Sequence, residues 1–266
     1  MKLLSLFDHF ESIATNESLS RAASRREAFS SLGRSLGKAV AVGLPVAAFL
    51  KPGRVMAQGN ASDPIAVLNF ALTLEYLEAE FYQMGLDADG LLDGDTRASI
   101  AQISKHETQH VEFLKSAISG AGGDPVDKPE FDFTAGGNFP NWNTDEATFL
   151  ALAQAFEDTG VRAYKGQAAN LMGSDDILTA ALRIHSVEAR HASMVRRMRG
   201  SKGWITNAMN TTAPAAAAVY AGEDNVMQLG VNAVDVTNVG KDKVTEAYDE
   251  PLSREAVLDI AGLFLA

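Results

Sequence analysis

Cysteine is absent from the 266-residue sequence. That absence excludes disulfides, thiol nucleophiles, thiolate-ligated zinc and iron–sulfur clusters, and leaves the redox compartment open. Long apolar runs are lacking too. The stretch from Ala39 to Leu50 has only twelve residues and is broken by Gly43 and Pro45, short of the roughly 20 residues an ordinary membrane span needs. Positive charge is scarce, with 23 Lys and Arg against 34 Asp and Glu. β-Branched runs are short while Ala, Leu, Glu and Met are plentiful, which favours helix over sheet. A hydrophobic content of 46% is enough for at least one sizeable core in one or two domains.

Residues 1–57 read as an address. Ser24-Arg25-Arg26 opens a basic stretch that continues through Arg34 and Lys38, the apolar run follows, and Val55-Met56-Ala57 has the spacing of a signal-peptidase site, predicting cleavage after Ala57. The segment resembles a twin-arginine export signal, with Phe29 close to the arginines and Ala28 where the usual pattern has its Phe. That resemblance implies a periplasmic or otherwise exported protein, carried already folded with its cofactor inserted beforehand. The competing reading is a basic amphipathic helix packed on the domain. Cleavage would remove eight of the 23 basic and four of the 34 acidic residues, leaving 15 and 30 and a formal charge of −15. Such a surface repels phosphate backbones and anionic headgroups, so no nucleic acid and no stable membrane insertion after cleavage are expected, whereas cation uptake is favoured.

Residues 58–200 carry four helix signals. The first has Ser62 or Asp63 as cap, Pro64 in the first turn, and apolar residues from Ile65 through Leu68, Leu72 and Phe81 to about Met84. The second starts at a cap on Asp95 and runs through Ile100, Ile103, Val111 and Leu114 to Gly120. Seven Gly and Pro residues between 120 and 143 then predict an irregular crossover. Thr144 caps a third helix to about Met172, and Ser174 opens a fourth whose basic last turn ends at Gly200. Two short turns and one long crossover predict an all-α, antiparallel four-helix bundle. Residues 201–266 are expected to be a C-terminal extension packing on the bundle, Ala-rich at 213–219 and closing with a short helix from Ser253.

Ionisable residues stand in mid-helix, where bare carboxylates would be costly. The second helix carries Glu107-Thr108-Gln109-His110 and the fourth repeats the pattern as Glu188-Ala189-Arg190-His191. Residues three apart share a helix face, so each pair can offer a carboxylate and an imidazole to one centre. Glu75 on the first helix and Glu157 on the third are each followed seven residues later by a tyrosine, Tyr82 and Tyr164. The two hairpins therefore look like halves of one pseudo-symmetric design.

With these motifs the sequence resembles the ferritin-like di-metal carboxylate proteins over residues 63–200. More narrowly, the stretch from Leu68 to Tyr82 and the tail Tyr248-Asp249-Glu250-Pro251-Leu252 look like bacterial exported ferritin-like proteins related to plant desiccation-related proteins. The resemblance implies two Fe or two Mn ions bridged by Glu107 and Glu188, with Glu75 and Glu157 as terminal ligands and one nitrogen each from His110 and His191. Hard or borderline divalent ions favour such oxygen and imidazole ligands, and four carboxylates balance two +2 charges. Open ligand positions would admit a small oxidant, oxygen or peroxide. Tyr82 and Tyr164 are the catalytic candidates, by hydrogen bonds to ligand carboxylates or by electron relay, against plain bundle packing.

Other residues keep two readings. His106 completes H-E-x-x-H at 106–110, the zinc-hydrolase pattern, or lies outside the ligand set or on the surface. His185 is expected to be structural or exposed, and Glu78, Glu80 and Glu112 to be surface carboxylates or else extra ligands or an ion path. Asp158 could brace a ligand histidine. The functions that remain are a di-metal oxidoreductase of peroxide, oxygen or ferroxidase type in stress protection, an iron store requiring a homo-oligomeric cage, and a non-catalytic stress protein stapled by its metals.

Overall fold

The computed structural model describes residues 63–208 and 214–266. The expected export signal at Ser24-Arg25-Arg26, the apolar run and the expected cleavage after Ala57 lie outside them. Among the described residues seven α-helices dominate: α1 Pro64–Asp87, α2 Gly94–Gly120, α3 Glu146–Gln167, α4 Asp175–Met198, α5 Ala233–Thr237, α6 Lys241–Thr245 and α7 Arg254–Ala261. None is long and apolar enough to cross a membrane.

Helices α1 and α2 form one antiparallel hairpin and α3 and α4 the other, with α1 against α3 and α2 against α4. This is the expected four-helix bundle with its long crossover. The caps differ in detail. Asp63 accepts the Ile65 amide at 3.1 Å, and Asp145, rather than Thr144, caps α3 by accepting the Thr148 amide at 2.8 Å. Helix α2 begins at Gly94, so Asp95 sits inside its first turn instead of capping it, where a carboxylate still faces the positive end of the helix dipole. Helix α3 stops at Gln167 and tightens into a 3-10 turn over Ala168–Leu171. Gly173 then supplies the left-handed φ of 110° that starts the reversal into α4.

The crossover is irregular but held. Asn69 on α1 clamps it, donating to the Asp124 carbonyl at 3.1 Å and accepting the Val126 amide at 2.8 Å. Phe133 and Trp142 from the crossover enter an aromatic cluster with Phe81, Phe149 and Phe156. Phe81 and Phe149 stack at 4.5 Å, and the close approach of α1 to α3 that allows it needs Gly85, where a Cβ would meet the Phe149 ring at 2.2 Å.

The C-terminal extension lies against α3. Arg162 on α3, 1% exposed, donates to the carbonyls of Glu250 at 2.7 Å, Ala221 at 2.6 Å and Val219. The Leu252 amide donates to the Arg162 carbonyl at 3.1 Å, and Gly166 leaves the room, since a Cβ there would lie 1.9 Å from the Leu252 carbonyl oxygen. The Tyr248-to-Leu252 tail is thus a strap fitted to one glycine of α3. A two-residue β-hairpin, β1 Met227–Gln228 with β2 Val231–Asn232, was not anticipated. Its turn, Leu229-Gly230, has φ of 51° and 81°, the left-handed pair that a tight two-residue hairpin requires.

Glu223 in this extension gives a pH signature. It lies 2.8 Å from Arg162 Nε, yet burial pushes its carboxyl up to about 7, with Arg162 pulling the other way. The folded chain therefore holds a proton there that the unfolded chain gives up near 4.5, so this contribution to stability is full at low pH and is lost as pH rises through 7. From pH 5 to pH 8 the wild type should lose on the order of 2 kcal/mol more unfolding free energy than Glu223→Gln. Urea titrations at both pH values check it, and a greater loss in the variant would show that the charged pair is favoured instead.

Candidate metal centre

Helix α1 is buried on nearly every side, including Glu75 and Glu78, because both hairpins and the crossover close around it. Glu75 on α1, Glu107 on α2, Glu157 on α3 and Glu188 on α4 are all 0% exposed, and His191 is buried beside them. The six residues of the two Glu-x-x-His pairs and the two lone glutamates all converge. Donor atoms of Glu75, Glu107, His110 and Glu188 lie within 4.8 Å of one another, as do those of Glu107, Glu157, Glu188 and His191. Each group could hold a metal ion, and Glu107 and Glu188 belong to both.

The orientation of the donors supports that use. His110 Nδ1 lies 3.1 Å from Glu75, 3.0 Å from Glu107 and 3.3 Å from Glu188. His191 Nδ1 lies 2.7 Å from Glu107 Oε1 and 3.4 Å from Glu157 Oε2. Yet His191 Nδ1, Glu107 Oε1, Glu157 Oε2 and both Glu188 oxygens have no hydrogen-bond partner among the described residues. Buried polar atoms are otherwise nearly always satisfied, and an unpaired buried carboxylate costs several kcal/mol. Unpartnered donor atoms gathered within 4.8 Å of one another fit divalent cations held among them.

The electrostatics agree. Burial pushes Glu75 up to about 8, although His110 pulls it down. Burial also raises Glu157, Glu188 and Glu78, with neighbouring carboxylates adding to the rise of the last two. Glu107 goes the other way, to about 2, because the His110 and His191 imidazoles beside it outweigh its burial. His191 is raised to about 11 despite burial, by the Glu157 charge and by contact with Glu107. Without a cation, the protons on imidazoles and carboxyls must do the neutralising.

Both tyrosines touch the cluster, but not as helix spacing alone suggests. Tyr82 on α1 donates to Glu157 on α3 at 2.5 Å, and Tyr164 on α3 donates to Glu75 on α1. Each hairpin's tyrosine therefore fixes the other hairpin's lone glutamate, leaving the second carboxylate oxygen for the interior. Burial raises both phenols well above 10, so they stay protonated and act as donors.

His106 is half-buried, and its Nδ1 lies 2.8 Å from His191 Nε2. It belongs to neither donor group, so the two histidines of H-E-x-x-H do not share a centre. If His191 offers the Nδ1 lone pair inward, its Nε2 must carry the proton and donate to His106 Nδ1. The His106 Nε2 then faces the Gln102 amide, 2.6 Å away. Sequence spacing could not pair His106 with a residue 85 positions on. The half-buried His185 belongs to neither group.

Asp158 does not brace a histidine. It accepts from Arg196 at 3.1 and 2.5 Å and from Tyr220 at 2.7 Å, since α4 presents Arg196 rather than His191 to that side of α3. Glu80 and Glu112 pair with Lys128 and Lys115 away from the cluster. Glu78 departs from the surface expectation: it is 3% exposed, three residues beyond Glu75 on the same inward face.

No curated protein compared with the chain matches it. Residues 63–201, α1 to the end of α4, match the ferritin-like domain, a domain whose bundle core takes a glutamate from two helices and Glu-x-x-His from the other two in its di-metal members. With that bundle and that core both present, the chain belongs to the ferritin-like domain family.

Proposed function

We propose that this is an exported di-iron or di-manganese oxidoreductase that consumes peroxide or oxygen in stress protection. One observation carries the reading: six donors from four helices form two overlapping groups that share Glu107 and Glu188. Two bound ions of Fe or Mn would supply the electrons that a small oxidant takes up. The protein's own part is to hold the donors still. Tyr82 and Tyr164 fix the terminal carboxylates, His106 sets the tautomer of His191, and the apolar clusters on either side exclude bulk water.

Export rests on the Ser24-Arg25-Arg26 segment and the cleavage site at Ala57, and a redox centre filled before transport gives folded export a purpose. The kinship with desiccation-related proteins rests on residues 68–82 and 248–252. The metal-stapled, non-catalytic stress protein is the competing reading, favoured by the number of unpaired buried carboxylates that a cation would relieve. Turnover separates the two. Chain beginning at Gln58, loaded with Fe(II) or Mn(II), should consume peroxide or oxidise Fe(II) well above the rate of the free ion. A loaded protein no faster than free metal would leave the stapled form.

A further inference from the structure

The two hairpins carry the same residues in the same order: Glu75, Tyr82, Glu107 and His110 in the first answer to Glu157, Tyr164, Glu188 and His191 in the second, with spacing equal within each helix. The match breaks between α1 and α3. Three residues after Glu75 stands Glu78, whereas three residues after Glu157 stands Gly160. These two positions face each other. A Cβ at residue 160 would lie 3.3 Å from Glu78 Oε1 and 2.8 Å from Glu188 Oε2, so the missing side chain is what leaves a gap between the two carboxylates.

Glu78 makes no hydrogen bond or ion pair among the described residues while being 3% exposed. A buried carboxyl without a partner is costly charged or protonated, and Leu would fill much the same volume without that cost. On its other side Glu78 lines a small cleft with Leu77, Phe156, Thr159, Gly160 and Ile260, the last from α7. It is the one ionisable residue of that lining. Four ligand carboxylates already balance two divalent ions, and Glu78 belongs to neither donor group. A fifth carboxylate placed between a cleft and a ligand oxygen has a cation to meet only when one is in transit.

We propose that Glu78, opposite the bare Gly160, is the carboxylate across which divalent cations pass from the cleft beneath α7 to Glu188; this rests on the reading that the six donors hold such ions. The test uses Co(II) as probe, with uptake followed by stopped-flow absorption and final content by elemental analysis. Wild-type protein should take up two Co(II) per chain, and if it takes up none the di-metal reading itself falls. Glu78→Gln, close in shape to Glu, should still reach two per chain but at least tenfold more slowly. Glu78→Asp should restore most of the rate. Wild-type speed in Glu78→Gln would overturn the proposal and put cation access at the partly exposed His110 side. Loss of one ion at equilibrium would overturn it too, by making Glu78 a ligand.

Discussion

Glu107→Ala is expected to weaken both metal sites at once, whereas Glu75→Ala is expected to weaken one. The difference follows from membership: Glu107 offers donors to both groups, Glu75 to one. Glu107 is also the carboxyl held lowest in the cluster, at about 2, so it contributes the most persistent negative charge to whatever occupies the centre. Removing it leaves His110 and His191 without their shared carboxylate partner. A loss of roughly 3 kcal/mol per site corresponds to more than a hundredfold in affinity. Equilibrium titration with Co(II) or Mn(II) should therefore give two ions for wild type, one tight ion for Glu75→Ala or Glu157→Ala, and none tight for Glu107→Ala. Equal losses in Glu75→Ala and Glu107→Ala would contradict the sharing.

Removing the ions should cost the fold heavily. The bundle keeps four carboxylates at 0% exposure, and several of their oxygens have no partner among the described residues. An ion that binds only the folded chain stabilises it by RT ln(1 + [L]/Kd), about 4 kcal/mol at a thousandfold excess over Kd. Two such sites, in a domain where 1 kcal/mol moves Tm by about 2–4 °C, predict that chelation lowers Tm by roughly 15 °C or more. Thermal unfolding with and without chelator checks this, and equal Tm values would mean that the cluster is neutralised by protons alone.

Much of this was legible in the sequence because helical periodicity fixes it. Glu-x-x-His puts both side chains on one face whatever surrounds the helix, so Glu107, His110, Glu188 and His191 could be named together, and capping residues with a Gly/Pro-rich crossover set the order of the helices. What stayed hidden depends on how helices face one another. Tyr82 shares a stripe with Glu75 but bonds Glu157, because α1 and α3 lie side by side and each tyrosine reaches across. Spacing says nothing about such a partner. His106 and His191 meet across α2 and α4 for the same reason. Glu78 looked like a surface carboxylate because a helix usually has a wet face, and α1 has almost none. The strap at Tyr248 to Leu252 was recognisable as a motif, but its fit to Gly166 is a matter of close backbone approach between segments more than 80 residues apart.

The central claim is that six side chains gather two ions. Anomalous diffraction from crystals of the protein grown with Mn(II) or Fe(II) tests it most directly. Two separate peaks are expected, one ringed by Glu75, Glu107, His110 and Glu188 and the other by Glu107, Glu157, Glu188 and His191. A single peak, or one held between His106 and His110, would contradict it.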